Sequence, residues 1–203
     1  MENIFTNIYT KNIWGGGSGS GSNVSKDTLK YINLLETVIN TKEYDINTIC
    51  DVGCGDWSYS QFVNFGTTEY LGIDCVKSVI DKNIELYEKD NIKFEHKIVN
   101  NNYIPKGFDL IVIKDVIQHW TDEDILKYFN EILINNKFIF CTNGYKFMRD
   151  KTKNDLIKRD INNRYRYHPV DIDKYPLNQY KDYVIENNKH RAKQMLLLSK
   201  YFT

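Results

Sequence analysis

Several things are scarce or missing in this chain. Its 203 residues carry no excess charge, 27 basic against 27 acidic, so no whole-molecule field draws it to nucleic acid or to an anionic membrane. No apolar run approaches the roughly 20 residues that span a bilayer. The opening Met-Glu-Asn-Ile-Phe lacks the charged-then-apolar plan of a signal peptide, so a soluble, cytoplasmic protein with no membrane partner is the expectation. The cysteines, Cys50, Cys54, Cys75 and Cys141, include no C-x-x-C pair. That argues against zinc or a disulfide framework and leaves small buried thiols as the default. Two nucleotide signatures are also absent. Ser58 takes the third-glycine position of Gly53-Cys-Gly55-Asp-Trp-Ser58, which breaks the G-x-G-x-x-G spacing, and no G-x-x-x-x-G-K-[ST] occurs. A dinucleotide or nucleoside triphosphate site is therefore disfavoured.

What is present suits a single domain. The stretch Thr48-Ile-Cys-Asp51-Val-Gly53-Cys-Gly55-Asp56-Trp57 runs a short apolar strand into a glycine-rich turn, and Tyr70-Leu-Gly-Ile-Asp74 ends a second strand on a carboxylate. Glycine lets backbone approach a ligand closely, and a carboxylate at that position can accept both hydroxyls of a ribose. The plainer alternative is that Gly53 and Gly55 only permit a tight turn and Asp74 caps the next helix.

Elements alternate along the chain. Strands are expected at 47–52, 69–74, 92–98, 108–113 and 137–142, and helices near 57–65 and at 76–89 and 121–134. Such alternation implies parallel pairing with right-handed crossovers. Ser25 is a plausible N-cap for a helix whose apolar face carries Leu29, Ile32, Leu34, Leu35, Val38 and Ile39. Residues 146–166 turn polar and basic, expected as helix then loop, and late strands are expected at 182–186 and 194–201. The division expected is an N-terminal arm with a Gly/Ser-rich lid over residues 1–24 and a domain over 25–203. Residues 14–22 can also be read as a flexible linker, but so few residues precede them that a functional loop fits better.

Asp51-x-Gly53-x-Gly55 followed by Asp74 resembles the first two motifs of class I S-adenosylmethionine-dependent methyltransferases. The resemblance implies an α/β, Rossmann-like, doubly wound fold: a mostly parallel seven-stranded sheet with an antiparallel C-terminal strand. It implies S-adenosyl-L-methionine as cofactor and S-adenosyl-L-homocysteine as product. Gly53 and Gly55 would face the methionine part, Asp51 its amino group and Asp74 the ribose, with Cys54, Asp56, Trp57, Cys75 and Lys114 completing the cofactor site. After the third strand, where many members have an acidic residue, this chain has Ile98, Val99 and Asn100; Asn100 or Asn101 can supply a hydrogen bond to adenine.

The third matching motif is Phe108-Asp109-Leu-Ile-Val-Ile-Lys114-Asp115-Val-Ile-Gln118-His119-Trp120. Asp115 and His119 are four apart, so on one helical turn they would face the same way. Methyl transfer asks mainly for alignment, worth roughly 7–11 kcal/mol, and for a proton acceptor, worth a factor of about 10²–10⁴. His119 is the candidate base, Asp115 its orienter or the ligand of the acceptor hydroxyl, and Lys114 an oxyanion stabiliser. The alternative is a packed, hydrogen-bonded histidine beside Trp120. Asp115, His119, Asp122 and Asp124 also offer metal donors. A Thr121 N-cap followed by acids in the first helical turn explains Asp122 and Asp124 more simply, and no metal is expected.

Ile13-Trp14-Gly-Gly-Gly-Ser18-Gly-Ser20-Gly-Ser22, with Cys54-Gly55-Asp56-Trp57, resembles a subgroup related to sugar O-methyltransferase domains of large DNA viruses. That implies a glycan or small-molecule acceptor held by Trp14, Ser18, Ser20, Ser22 and His119 under a mobile lid. A rival acceptor is RNA or protein, with Lys146, Arg149, Lys151, Lys153, Lys158, Arg159, Arg164 and Arg166 tracking phosphates and Tyr145, Tyr165 and Tyr167 stacking; a solvated helix face explains the same charges. A non-catalytic, cofactor-binding activator subunit is the third reading.

Overall fold

The structure, a computed structural model, describes residues 2–19, 25–99, 103–146 and 169–202. Seven strands form one sheet: β1 (Thr48–Val52), β2 (Glu69–Asp74), β3 (Ile92–His96), β4 (Leu110–Lys114), β5 (Phe138–Gly144), β6 (Val184–His190) and β7 (Lys193–Leu198). Their order is β3-β2-β1-β4-β5-β7-β6. Strands β1 to β5 are parallel, β7 is antiparallel to β5, and β6 is antiparallel to β7. The expected α/β, mostly parallel sheet is what forms, closed at its C-terminal side by a hairpin. Since β1 and β4 lie side by side, their C-terminal tips and that of β2 share one edge.

The alternation of side chains sorts the core into two layers. Ile49, Leu110, Val112, Phe138 and Phe140 pack with Tyr31, Ile32, Leu35 and Val38 of α1 (Lys26–Asn40) and Ile80 of α2 (Lys77–Tyr87). Cys50, Val52, Ile111, Ile113 and Ile139 pack on the opposite face with Ile125, Phe129 and Ile132 of α3 (Asp122–Asn135). Covered on both faces, β4 reads as an unbroken apolar run, each buried aliphatic side chain contributing about 1.5–3 kcal/mol. Ser25 caps α1 in a capping box with Thr28, and Thr121 caps α3 in one with Asp124. Leu29 departs from the expected apolar face and is 48% exposed.

Two expectations are corrected and one element is new. No α-helix spans 57–65. Trp57 has a left-handed φ of 56° and only a 3-10 turn, Ser60–Phe62, follows, because Trp57, Tyr59, Val63 and Phe65 are all drawn into the core. The strand expected at 182–186 begins at Val184 and runs to His190, after the 3-10 segment Leu177–Tyr183. A helix the composition did not announce, Glu2–Thr10, precedes the glycine-rich segment, with Ile8 fully buried beneath it. The basic stretch 147–166 lies outside the described residues.

Candidate functional site

The glycine turn closes β1 against β2 through backbone contacts. The N–H groups of Gly53 and Cys54 both donate to Ile73 O, at 2.8 and 3.1 Å. Gly53 and Gly55 have φ of 74° and 59°, a region that favours glycine. Their missing side chains serve packing within the chain. A Cβ on Gly53 would sit 2.5 Å from Val116 Cγ2, and one on Gly55 2.4 Å from Ser18 Oγ. Asp74 is 8% exposed; one oxygen accepts from Gly55 N at 3.1 Å and the other from Val76 N at 2.9 Å. Burial pushes its carboxyl above the usual range, and these backbone donors oppose the shift. Asp74 therefore holds the turn and the chain entering α2. The backbone and thiol of Cys75 bond the same carboxylate.

Asp51, on the α1 side of β1, accepts from the Tyr70 hydroxyl at 2.6 Å. Burial raises its carboxyl to about 6, while Tyr70 and nearby Lys114 pull the other way. Cys54 is buried against Gly72. Asn83 of α2, fully buried, donates to Gly55 O at 2.7 Å. Trp57 is a core residue, ringed by Phe65, Tyr70, Tyr87 and Phe94. Cys75 offers its carbonyl to His96 Nε2 at 3.1 Å. Asn100, Ser20 and Ser22 lie outside the described residues.

The β4 tip is built differently. Asp115 is left-handed, with φ of 60°, and a 3-10 turn, Ile117–His119, follows it. The single α-helical turn on which Asp115 and His119 would share a face is therefore not formed. The Asp115 carboxylate receives Lys114 Nζ at 3.3 Å on one oxygen and Lys193 Nζ on the other. Burial would raise its pKa, but the two ammonium groups outweigh it and hold the carboxyl below the usual range. That makes Asp115 a poor proton acceptor and an anchor for two cations. Lys114 is itself buried, which lowers its pKa against the opposing pull of Asp115, and its Nζ lies 4.4 Å from the Tyr59 ring centroid.

Lys193 escaped sequence reading because it lies 78 residues from Asp115. The β6–β7 hairpin brings it there, opposite Gly144 on β5, through a tight turn at a left-handed Arg191. The turn carries none of the Asn-Gly signals that mark such hairpins.

The N-terminal arm lies over both tips. Ser18 N donates to Asp56 Oδ2 and Asp56 N donates to Ser18 Oγ, each at 2.9 Å. Tyr9 OH shares a 2.7 Å hydrogen bond with Ser18 Oγ. Trp14 stacks on His119 with ring centroids 5.9 Å apart, and Phe5 meets the same ring edge-on at 5.5 Å. Phe5 and Trp14 also meet each other, with centroids 6.0 Å apart, so the three rings form one cluster. Phe5 and Tyr9 were not foreseen, since nothing in the sequence ties them to the strand tips.

Among the described residues no cluster of histidine, cysteine and carboxylate is fit to hold a metal, and no helix is long and apolar enough to cross a membrane. The donor set fits an adenosyl-methionine cofactor. Asp74 and Asp51 are buried carboxylates on neighbouring strand tips, suited to a pair of hydroxyls and an ammonium group.

Residues 50–140 match the family described as "Methyltransferase domain". No curated protein sequence matches the chain. Among solved structures, the chain is similar to magnesium protoporphyrin IX methyltransferase from Synechocystis PCC 6803 with bound SAH, at 12% identity and TM-score 0.63, covering 98% of this chain and 100% of the other. It is also similar to the PH0226 protein of Pyrococcus horikoshii OT3, at 15% identity and TM-score 0.62, covering 86% and 92%. A third is mitomycin 7-O-methyltransferase, at 15% identity and TM-score 0.60, covering 84% of this chain and 54% of that one. At such identities the likeness is one of fold.

Proposed function

We propose that this chain, whose residues 50–140 match a methyltransferase domain, is a class I S-adenosyl-L-methionine-dependent enzyme that methylates a sugar hydroxyl of a glycan or glycoside. The observation that carries the cofactor assignment is the adjacency of the glycine turn, Asp51 and Asp74 on one sheet edge. Asp74 accepts from the ribose hydroxyls, and Asp51 faces the ammonium group. The cofactor supplies an electrophilic methyl on a sulfonium with a good leaving group.

The protein's own part is to align the acceptor and take its proton. His119 is the base: Asp115 is neutralised by two lysines, and imidazole is the side chain whose ordinary titration falls near neutral pH. Phe5 and Trp14 cluster with it, aromatic surface suited to the C–H face of a sugar ring. Buried acceptor atoms without a partner among the described residues, Gln118 Oε1 and Asn143 Oδ1, lie on the segments just past β4 and in the C-terminal part of β5. They suit an acceptor rich in hydroxyl donors.

The test is a screen for S-adenosylhomocysteine release across sugar, RNA, protein and small-molecule acceptors. Turnover on a nucleotide-sugar or rhamnose-like glycoside that moderate salt leaves unchanged is expected. Turnover only on RNA, with binding that falls steeply with salt, would replace the sugar reading. With an acceptor in hand, His119→Ala is expected to keep cofactor affinity and to lower turnover by about 10²–10⁴; an unchanged rate removes His119 as base.

A further inference from the structure

The contacts between Ser18 and Asp56 are reciprocal, and both ends are built for them. Each residue gives one backbone N–H and one side-chain oxygen to the pair, at 2.9 Å in both directions. At Gly17, where φ is 53°, a Cβ would sit 1.8 Å from Asp56 Oδ2. At Gly55 a Cβ would sit 2.4 Å from Ser18 Oγ. Glycine is thus required on both surfaces at the place where they meet. Tyr9 completes the junction from the helix Glu2–Thr10: its hydroxyl bonds Ser18 Oγ and lies 3.4 Å from the same Gly55 position. Glu2 Oε1 also lies 3.5 Å from His96 Nε2 at the end of β3. The junction therefore spans the tips of β1, β2 and β3, while Trp14, four residues before Ser18, carries the arm across to His119 beyond β4.

We propose that Ser18 and Asp56 form a latch closing the N-terminal arm over the adenosyl half of the site, and that Trp14, seated by that latch, is a positioning residue for the His119 imidazole. The arm must open for the cofactor to enter and for its product to leave, and closing delivers the base to its working place. One closure thereby couples occupancy of one half of the site to readiness of the other. The proposal deepens the methyltransferase reading and rests on it for the identity of the ligand; the latch itself is a statement about the free protein.

Two measurements on the full chain separate the two. In the ligand-free protein, the His119 Hε1 resonance, assigned by its loss in His119→Ala, is expected to carry an upfield ring-current shift from Trp14. Asp56→Ala, Ser18→Ala and Gly17→Ala should each move it towards the value of an exposed histidine, and Asp56→Asn, which keeps an acceptor for Ser18 N, should move it least. An equal resonance position in wild type and all three disrupting variants overturns the latch whatever the ligand is. The second measurement is the dissociation rate of S-adenosylhomocysteine by stopped flow, expected to rise roughly tenfold or more in the same variants, as the loss of a charged hydrogen bond implies. Binding by wild type with an unchanged off-rate in the variants likewise overturns the latch. No binding by wild type overturns the methyltransferase reading instead and leaves the resonance shift to decide the latch.

Discussion

The carboxylates at the tips of β2 and β4 occupy equivalent places on the sheet edge and are held by opposite means. Asp74 is fastened by the backbone N–H groups of Gly55 and Val76, and burial raises its pKa. Asp115 is fastened by the side chains of Lys114 and Lys193, and its pKa is lowered despite burial. In the first arrangement neutral donors only partly offset burial. The second makes a hub of one carboxylate against two ammonium groups, in which the carboxylate stays ionised. Two acids in similar positions thus differ in chemistry because of what donates to them.

The largest expected effect breaks the β4 hub. Asp115→Ala removes a carboxylate bonded to Lys114, whose side chain is 7% exposed, and a loss of about 3–5 kcal/mol is expected in urea unfolding. Half-exposed Lys193 should contribute little to that loss. A small change would mean that its other neighbours, Tyr31, Tyr59 and Asp51 among them, hold the lysine.

Asp51 sharpens the contrast through pH. Its folded pKa of about 6 lies above the unfolded value, so the stability it contributes is fully present below the unfolded carboxyl range and is lost as pH rises through about 6. Asp51→Asn, whose amide oxygen still accepts from Tyr70, should remove this loss. The variant should gain on wild type between about pH 4 and 7, by up to about 3 kcal/mol. Thermal melts across that range that run parallel would show Asp51 titrating normally.

At the other tip, Asp74→Ala should weaken cofactor binding by about 1.5–3 kcal/mol, read by calorimetry with S-adenosylhomocysteine, and unchanged affinity would count against the ribose assignment. The smallest effect lies away from both tips. Ser25→Ala, which removes the capping box of α1, should cost about 1 kcal/mol in unfolding free energy with cofactor affinity intact.

How much of this was legible beforehand follows from the range of each interaction. Asp51, Gly53, Gly55 and Asp74 could be placed because strand, turn and strand are neighbours in the chain and their apolar runs mark where each strand stops. Lys114, Asp115 and His119 could be placed at the tip of β4 for the same reason. Their roles could not be assigned, since Lys193 reaches Asp115 through a hairpin with no turn signature and Phe5 reaches His119 from the far end of the chain. Trp57 misled in the other direction: next to a functional turn in sequence, it points into the core. The glycines were expected to admit a ligand, and their open space is filled by Ser18 and Val116.

By itself, then, the sequence determined strands β1 to β5, helices α1 to α3, the caps at Ser25 and Thr121, and which carboxylates stand at the sheet edge, because all of these depend on periodicity and on contacts within a few residues. Only the tertiary structure decided which carboxylate is neutralised, which ring the histidine rests against, and what lies over the glycine turn. Those depend on side chains brought together from distant parts of the chain, whose charge and burial no local pattern records.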